Sequence, residues 1–358
     1  MCFDDIISLK KDHLPKLSII IPFFNNSKSE IYRCLQSIDI QVYENLEVLI
    51  IDDGSSFQYR NFLDEIPLHF KKCYIKHKEH MGVSSARNFG ISIASGDFIT
   101  FIDCDDAFSQ YFFTDLKDLF SLDNIEKYDV IYGYIKRVYE NTNPEIQVKP
   151  IKPSNLKLLS SLDKEKLIHE FIEDHIVTFK NRNGYLGCVS VARVVKSSII
   201  KRTKFNEDLS LNEDNIWNLQ LLKNVTNAIV IDNCWYLYIY NQNSVTHQFS
   251  IDIVHSYEKY LSYLWENYII KPSYAVSFLK LTIHLALKLK GKSYKGNFNS
   301  KLSLKNLFRV KPWENEFKWT YIDTLSVKEK IIFILIKINI IDFIYNIKAK
   351  FIKSNTWS

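Results

Sequence analysis

Residues 97–108 read DFITFIDCDDAF. Three carboxylates, Asp103, Asp105 and Asp106, close around one thiol, Cys104, directly behind an apolar run. Like charges at this spacing repel, and burying them without partners costs several kcal/mol or forces protonation. A divalent cation removes that penalty. Mg²⁺ and Mn²⁺ take oxygen ligands and commonly share them between protein carboxylates and substrate phosphates. Residues two apart in an extended segment point the same way, so an Asp-x-Asp at a strand end suits one ion. The metal would neutralise a diphosphate, aiding both binding and departure. An EF-hand loop counted from Asp103 needs glycine at its sixth position and glutamate at its twelfth. Phe108 and Thr114 stand there instead. A second acid pair, Glu213-Asp214, opens the helix-like run LNEDNIWNLQLLKN. Carboxylates favour a helix start, and Asn212 is a candidate N-cap.

These groups need a scaffold that brings them together. LSIIIP at 17–22, LEVLII at 46–51, KCYIKH at 72–77 and DFITFID at 97–103 are short apolar runs that predict strands. SEIYRCLQSI and GVSSARNFGISIAS between them predict helices, the second with Val83, Ala86, Phe89, Ile91 and Ala94 turned inward. Alternating strands and helices imply β-α-β units and a mainly parallel sheet. Ligands bind such sheets at the carboxyl ends of strands. Asp52-Asp53, the Asp103–Asp106 corner and the Pro22–Asn26 loop all fall at such ends. Further on, YDVIYGYIKRVYE predicts a strand, residues 140–160 a loop, and LIHEFIEDHIV a helix. YLGCVSVARV predicts a strand leading into a helix, LNEDNIWNLQLLKN a helix with Ile216, Leu219 and Leu222 inward, and NAIVIDNCWYLYIY two short strands. No G-x-G-x-x-G follows any strand, so a dinucleotide fingerprint is absent.

Bulk properties set the outer limits. The 358 residues suffice for one large domain or a domain with an appendage, and 24% charged with 46% hydrophobic residues is ordinary for a globular chain. A net charge of +5 is too mild to argue for nucleic acid. The six cysteines, Cys2, Cys34, Cys73, Cys104, Cys188 and Cys234, include no C-x-x-C pair. That spacing suggests reduced thiols of a cytosolic compartment rather than a zinc or redox site. MCFDDIISLKKDH has acids where a secretory leader carries bases.

The ordered set LSIIIPFFNN, LEVLIIDDGSS, GVSSARNFGISIASGDFITFIDCDD and NEDNIW resembles the family-2 glycosyltransferases of GT-A fold. The resemblance spans residues 17 to about 245 and departs in two places. Phe-Phe-Asn replaces the common tyrosine before asparagine, and His80 stands where asparagine is common. It implies a mixed, mainly parallel α/β sheet flanked by helices, with a C-terminal helical extension. The implied layout is a tail at 1–16, a catalytic domain at 17–250 and a helical region at 251–358. Implied, too, is inverting transfer from a UDP-sugar to a hydroxyl of a glycan or lipid-linked glycan, with Mn²⁺ or Mg²⁺, in lipopolysaccharide or capsule synthesis.

Residue by residue, the resemblance puts Pro22, Phe23 and Asn25 along the nucleotide pocket and Asp53, with Asp52, at the uracil or ribose. It puts Arg87 near the phosphates or the acids, Asp103 and Cys104 at the ribose or sugar, and Asp105 on the metal. Asp106 would support the site or the sugar hydroxyls. Asp214 would be the general base, with Glu213 holding the acceptor. His247, in NQNSVTHQFS, would complete the metal shell or donate to phosphate. The residue types agree: a carboxylate accepts strongly from a ribose diol or uracil N–H, and guanidinium grips diphosphate in bidentate fashion. Arg87 has an equal alternative as a structural ion pair. One of Asp52 and Asp53 is expected to serve the turn and helix cap while the other binds ligand.

Two rivals belong beside this reading. A nucleotidyltransferase would carry a glycine-rich basic loop, and IPFFNNSKSE has no glycine and one lysine. A non-catalytic nucleotide-sugar-binding subunit would be expected to have lost the acids. The segment VKEKIIFILIKINIIDFIYNIKAKFIKS is apolar but interrupted by Lys337, Asn339 and Asp342, so it predicts no membrane span. It either lies on a membrane surface through its lysines or packs against the catalytic domain. The expected location is the cytoplasm, peripheral to the membrane's inner face.

Overall fold

The computed structural model describes residues 14–269 apart from 40–42, 70–71, 123–124, 140–155, 159–160, 173–177, 182–183 and 241–250, with scattered helical positions between 274 and 335. The chain divides into two compact units. One runs to Ile168 and adds His175–Asp208 and Glu213–Asn241; the other takes His169–Asp174, Leu209–Asn212 and Gln242 onward.

All described strands belong to the first unit. β1 (Leu17–Phe23), α1 (Lys28–Asp39), β2 (Leu46–Asp53), α2 (Phe57–His69), β3 (Cys73–Lys78), α3 (Val83–Ile93) and β4 (Phe98–Phe101) alternate as the apolar runs predict. β5 (Ala107–Phe108) and α4 (Phe112–Phe120) follow, then β6 (Val130–Tyr139), β7 (Leu156–Leu158) and α5 (Ser161–Ile172), whose residues from His169 on fall in the second unit. β8 (Thr178–Asn181), β9 (Gly184–Leu186), β10 (Arg193–Lys196), α6 (Ser197–Ile200), α7 (Glu213–Asn224) and β11 (Ala228–Tyr240) complete the unit. The main path of the sheet is β3-β2-β1-β4-β10-β6-β11-β5. β1 pairs in parallel with β2 and β4. β10 runs antiparallel to both β4 and β6, so β6 again points the way of β1 and β4, and β11 is parallel to β6. The carboxyl ends of β1, β2, β4, β6 and β11 therefore open on one side.

The central strand explains its own sequence. Leu17, Ile19, Ile20 and Ile21 are fully buried, so the strand has no need for polar alternation. α3 lies very close to it. A Cβ built on Gly90 would stand 2.5 Å from Ile20 Cγ2, so only glycine lets the helix settle there.

Several expectations differ from the structure. YLGCVSVARV is not one strand, since β9 ends at Leu186 and β10 begins only at Arg193 before α6, and residues 156–158 of the expected loop form β7. The inner face of α3 is Ser84, Ser85, Ala86, Arg87, Gly90 and Ile91, while Val83 and Phe89 are 40% and 37% exposed. Close helix–strand approach selects small residues over bulky apolar ones. The run NAIVIDNCWYLYIY is one bulged strand, with register shifts between Val230 and Tyr236. Asn233 supports the bulge by donating to Asp115 Oδ2 at 3.0 Å, and Cys234 N–H donates to Asn233 Oδ1 at 3.0 Å. α7 buries Asn215, Trp217, Asn218 and Leu221 as well as the three expected residues.

In the second unit, α8 (Ile251–Tyr268) buries Tyr260, Leu261 and Leu264. Among the described residues no helix is long and apolar enough to cross a membrane. The rest of 326–358 lies almost wholly outside them.

Candidate active site

The acidic corner forms where β4 ends. Ile102 N–H still donates to Ile20 O, and Asp106 N–H then turns back to Asp103 O at 3.1 Å. The three carboxylates separate by environment. Asp106 is 1% exposed; Tyr236 Oη donates to its Oδ2 at 2.6 Å and Ile239 N–H to its Oδ1 at 2.8 Å. Burial, then the charges of Asp105 and Asp103, raise its carboxyl well above the usual range. Asp106 thus pins β11 to the corner. Cys104 is also inward, 3% exposed, with burial raising its thiol. Its side chain does not reach a ligand-facing surface.

Asp103 and Asp105 face outward. Asp105 is exposed. Desolvation by the nearby protein, with the neighbouring Asp103 charge, pushes its carboxyl up to about 6. Among the described residues no cation pairs with it. Its backbone is fixed instead, because Arg33 Nη2 on α1 donates to Asp105 O at 2.6 Å. Asp103 is held from α3: Arg87 Nη2 donates to its Oδ1 at 2.9 Å.

Arg87 also reaches the second acid pair. Its Nη1 donates to Asp214 Oδ1 at 2.8 Å and Glu213 Oε1 at 3.3 Å. The side chain is 4% exposed and its guanidinium lies over the Phe205 ring, 5.3 Å from the centroid. Desolvation disfavours its charge, but Asp214, Asp103 and Glu213 outweigh that and raise its pKa. Of the two expected roles, the ion pair is the one the geometry displays. Glu213 feels burial first and Asp214 next, and its carboxyl rises to about 7. Both acids open α7, as expected. Asn212 precedes them with a φ of 58°, a left-handed conformation that asparagine tolerates.

The end of β2 is closed. Asp52 is fully buried and accepts from Ser55 N–H at 3.0 Å, Arg60 Nε at 3.1 Å and His77 Nδ1 at 2.7 Å. Burial alone would raise its carboxyl; the hydrogen bonds of His77 and Ser55 lower it instead. Asp53, 2% exposed, accepts from Met81 N–H at 3.0 Å, Gly82 N–H at 2.7 Å and Lys78 Nζ. Neither is left open for a ligand, unlike the expected division of labour, because turn and α3 entry together consume both. Gly54 makes the turn with a φ of 77°, close against His80 N.

At the end of β1 the exposed aromatic ring is Phe24, one residue beyond the expected Phe23. Phe23 is 1% exposed and packs edge-on to Phe62, since it continues the inward side of β1. Phe24, just past the strand, is 44% exposed and stacks on His80 with centroids 4.1 Å apart. Pro22 is buried within β1. Asn25 bridges the two strand ends: its N–H donates to Ser55 Oγ and its Oδ1 accepts from Ser56 N–H, both at 2.9 Å. His247 lies outside the described residues. Phe24, Arg33, Ser55 and Tyr236 were not singled out in the sequence; strand alternation could have exchanged Phe24 for Phe23.

Among the described residues no three His, Cys, Asp or Glu side chains converge as a ready metal shell. Asp103 and Asp105 still fit a hard cation as a partial set: they are adjacent oxygen donors, and one lacks a cationic partner.

Comparison with known proteins agrees with this geometry. Residues 18–203 match the family model described as Glycosyl transferase family 2. The uncharacterized glycosyltransferase EpsJ of Bacillus subtilis is 25% identical over 236 residues, 65% of this chain and 63% of EpsJ. Glycosyltransferase GlyG of Streptococcus pneumoniae is 33% identical over 91 residues, 25% of this chain and 30% of GlyG. The match thus spans less than two thirds of each relative's length. The crystal structure of S. aureus TarS 1-349 in complex with UDP-GlcNAc superposes with a TM-score of 0.65 at 13% identity, covering 96% of this chain and 93% of TarS 1-349. At that identity the likeness is one of fold, a mixed α/β sheet of GT-A kind. With half the chain matching the family model over the elements that carry the acidic corner, the protein belongs to glycosyl transferase family 2.

Proposed function

We propose that the chain is an inverting, metal-dependent transferase. It would move a sugar from a UDP-sugar to a hydroxyl of a glycan or lipid-linked glycan acceptor, in the synthesis of a surface polysaccharide such as lipopolysaccharide or capsule. One observation carries the reading: Arg87 ties Asp103 at the strand-end corner to Asp214 and Glu213 at the start of α7. A diphosphate-binding corner and a proton acceptor then sit on opposite sides of one guanidinium. The fold neighbour crystallised with UDP-GlcNAc and with UDP supports a UDP-sugar as donor.

Asp105, beside Asp103, would hold Mn²⁺ or Mg²⁺, which when bound neutralises the diphosphate and stabilises it as a leaving group. His247 is a further candidate ligand. Asp214 keeps Oδ1 on Arg87, and Oδ2, with no partner among the described residues, would take the acceptor hydroxyl's proton as the oxygen attacks. Arg87 orients that carboxylate, and Glu213 hydrogen-bonds the acceptor. Attack from the side opposite the leaving diphosphate inverts the anomeric carbon. Asn25 and Phe24 line the base end, with Asp52 and Asp53 fixing its wall.

A screen of nucleotide-sugar turnover with Mn²⁺, repeated on Asp105→Asn and Asp214→Asn, tests the reading. Asp105→Asn is expected to lose nucleotide affinity. Asp214→Asn is expected to keep UDP binding while transfer drops about 10²–10⁴-fold. No UDP-sugar binding with Mn²⁺ present, or full-rate transfer by Asp214→Asn, overturns it.

A further inference from the structure

Strands β6 and β11 end beside the acidic corner, on the flank away from β1 and β2. Their last residues pair in parallel register, Arg137 with Tyr238 and Tyr139 with Tyr240. Side chains alternate along a strand, and here the two faces differ sharply. Val138, Leu237 and Ile239 turn inward with Ala107 and Cys234 as a small apolar core. The opposite face carries Arg137, Tyr139, Tyr238 and Tyr240. The Arg137 guanidinium lies 5.8 Å from the Tyr238 ring centroid and 5.2 Å from that of Tyr240. Tyr139 meets Tyr240 edge-on at 5.5 Å and is 55% exposed. Arg137 is exposed as well.

The strand behind this face is anchored to the acidic corner through buried residues. Tyr236, on the same side of β11 as Tyr238 and Tyr240, donates to Asp106 Oδ2, and Ile239 N–H holds the other oxygen. From Tyr236 to Tyr240 the strand advances about 13 Å. An aromatic face offers a flat apolar platform for the C–H-bearing side of a sugar ring. A guanidinium held over tyrosines keeps its N–H edge for a carboxylate or phosphate. In-line displacement also needs the two substrates on opposite flanks of the reacting carbon, and β1 and β2 already flank the base end.

We infer that Arg137, Tyr139, Tyr238 and Tyr240 form the acceptor subsite, taking a saccharide segment that bears phosphate or carboxylate groups. Tyr139 stacks on a ring, and Arg137, braced by Tyr238 and Tyr240, binds the anion. The inference rests on the transferase reading and extends it to the acceptor's chemistry.

The test uses the full chain with UDP and Mn²⁺ on a printed array of phosphate-bearing, carboxylate-bearing and neutral bacterial oligosaccharides. UDP affinity is measured in parallel by calorimetry, and folding by thermal melting. Retention of anionic over neutral glycans is expected. Tyr139→Ala and Arg137→Gln should each weaken it about tenfold, a change typical of one lost stacking or ionic contact. Tyr139→Phe should keep it, and UDP affinity should not move. Equal retention of neutral glycans with an indifferent Arg137→Gln overturns the anionic specificity. Glycan binding unaffected by Tyr139→Ala and Arg137→Gln, or absent beside intact UDP binding, overturns the subsite alone. Loss of UDP binding by the unmodified chain overturns the transferase reading and this subsite with it.

Discussion

Carboxylates stand at both ends of the central sheet, and their surroundings treat them in opposite ways. At the amino end of β1, Glu47 accepts from Ser18 Oγ at 2.6 Å, Ser95 N–H at 2.7 Å, Ser95 Oγ at 2.8 Å and Lys16 Nζ at 2.9 Å. Burial would raise its carboxyl, but these donors outweigh that and hold it at about 2. At the carboxyl ends, Asp105 and Glu213 are pushed up to about 6 and 7 by desolvation and a like-charged neighbour. The same functional group is satisfied where it binds strands together, as Asp52 also is at the end of β2, and left with unrelieved charge at Asp105 and Glu213. The difference separates carboxylates that serve the architecture from those a ligand could relieve.

The contrast breaks most severely at Arg87. Arg87→Ala leaves Asp103, Glu213 and Asp214 crowded without their cation, an expected loss of about 3–5 kcal/mol in denaturant unfolding. A loss below about 1 kcal/mol would mean that solvent already screens the cluster. Next comes Glu47→Gln, expected to lower stability at pH 7 by up to about 3 kcal/mol with turnover unchanged. The sign follows from the lowered carboxyl. Its stabilisation is complete above the ordinary 4.5 and disappears as pH falls towards about 2. The variant should therefore lose that part of the acid dependence, read from melting temperatures across the range.

Tyr236→Phe strips the donor from Asp106 and leaves a buried oxygen unsatisfied, about 1–3 kcal/mol in the same unfolding measurement. The smallest effect runs the other way. Glu213 binds its proton more tightly folded than unfolded, so stability falls as pH climbs from about 4.5 to about 7. Glu213→Gln should gain on the order of 1 kcal/mol at pH 8 while transfer declines. A destabilised Glu213→Gln at that pH would place this acid on the architectural side.

The alternation of β1 through β4 and both acid pairs were legible because each is local: apolar runs, turn residues and acids at strand ends lie within a few positions of one another. Their union was not. Arg87 and Glu213 are 126 residues apart, and no periodicity links them. The inner face of α3 escaped for a related reason. Hydrophobic pattern points to Val83 and Phe89, while the face is chosen by how closely a helix can lie on Ile20. The fate of Asp106 depends on Tyr236 of β11, a partner that arrives only when the sheet is complete.

Gly90 stands one helical turn beyond Arg87 and contributes no functional group. The space where its side chain would be is occupied by Ile20, so one added methyl group would wedge α3 away from β1 and carry the guanidinium off its three carboxylates. Charge alignment in this fold is thus calibrated by a missing carbon. A survey of damaging substitutions confined to substrate-touching residues would overlook one of the most sensitive positions in the molecule.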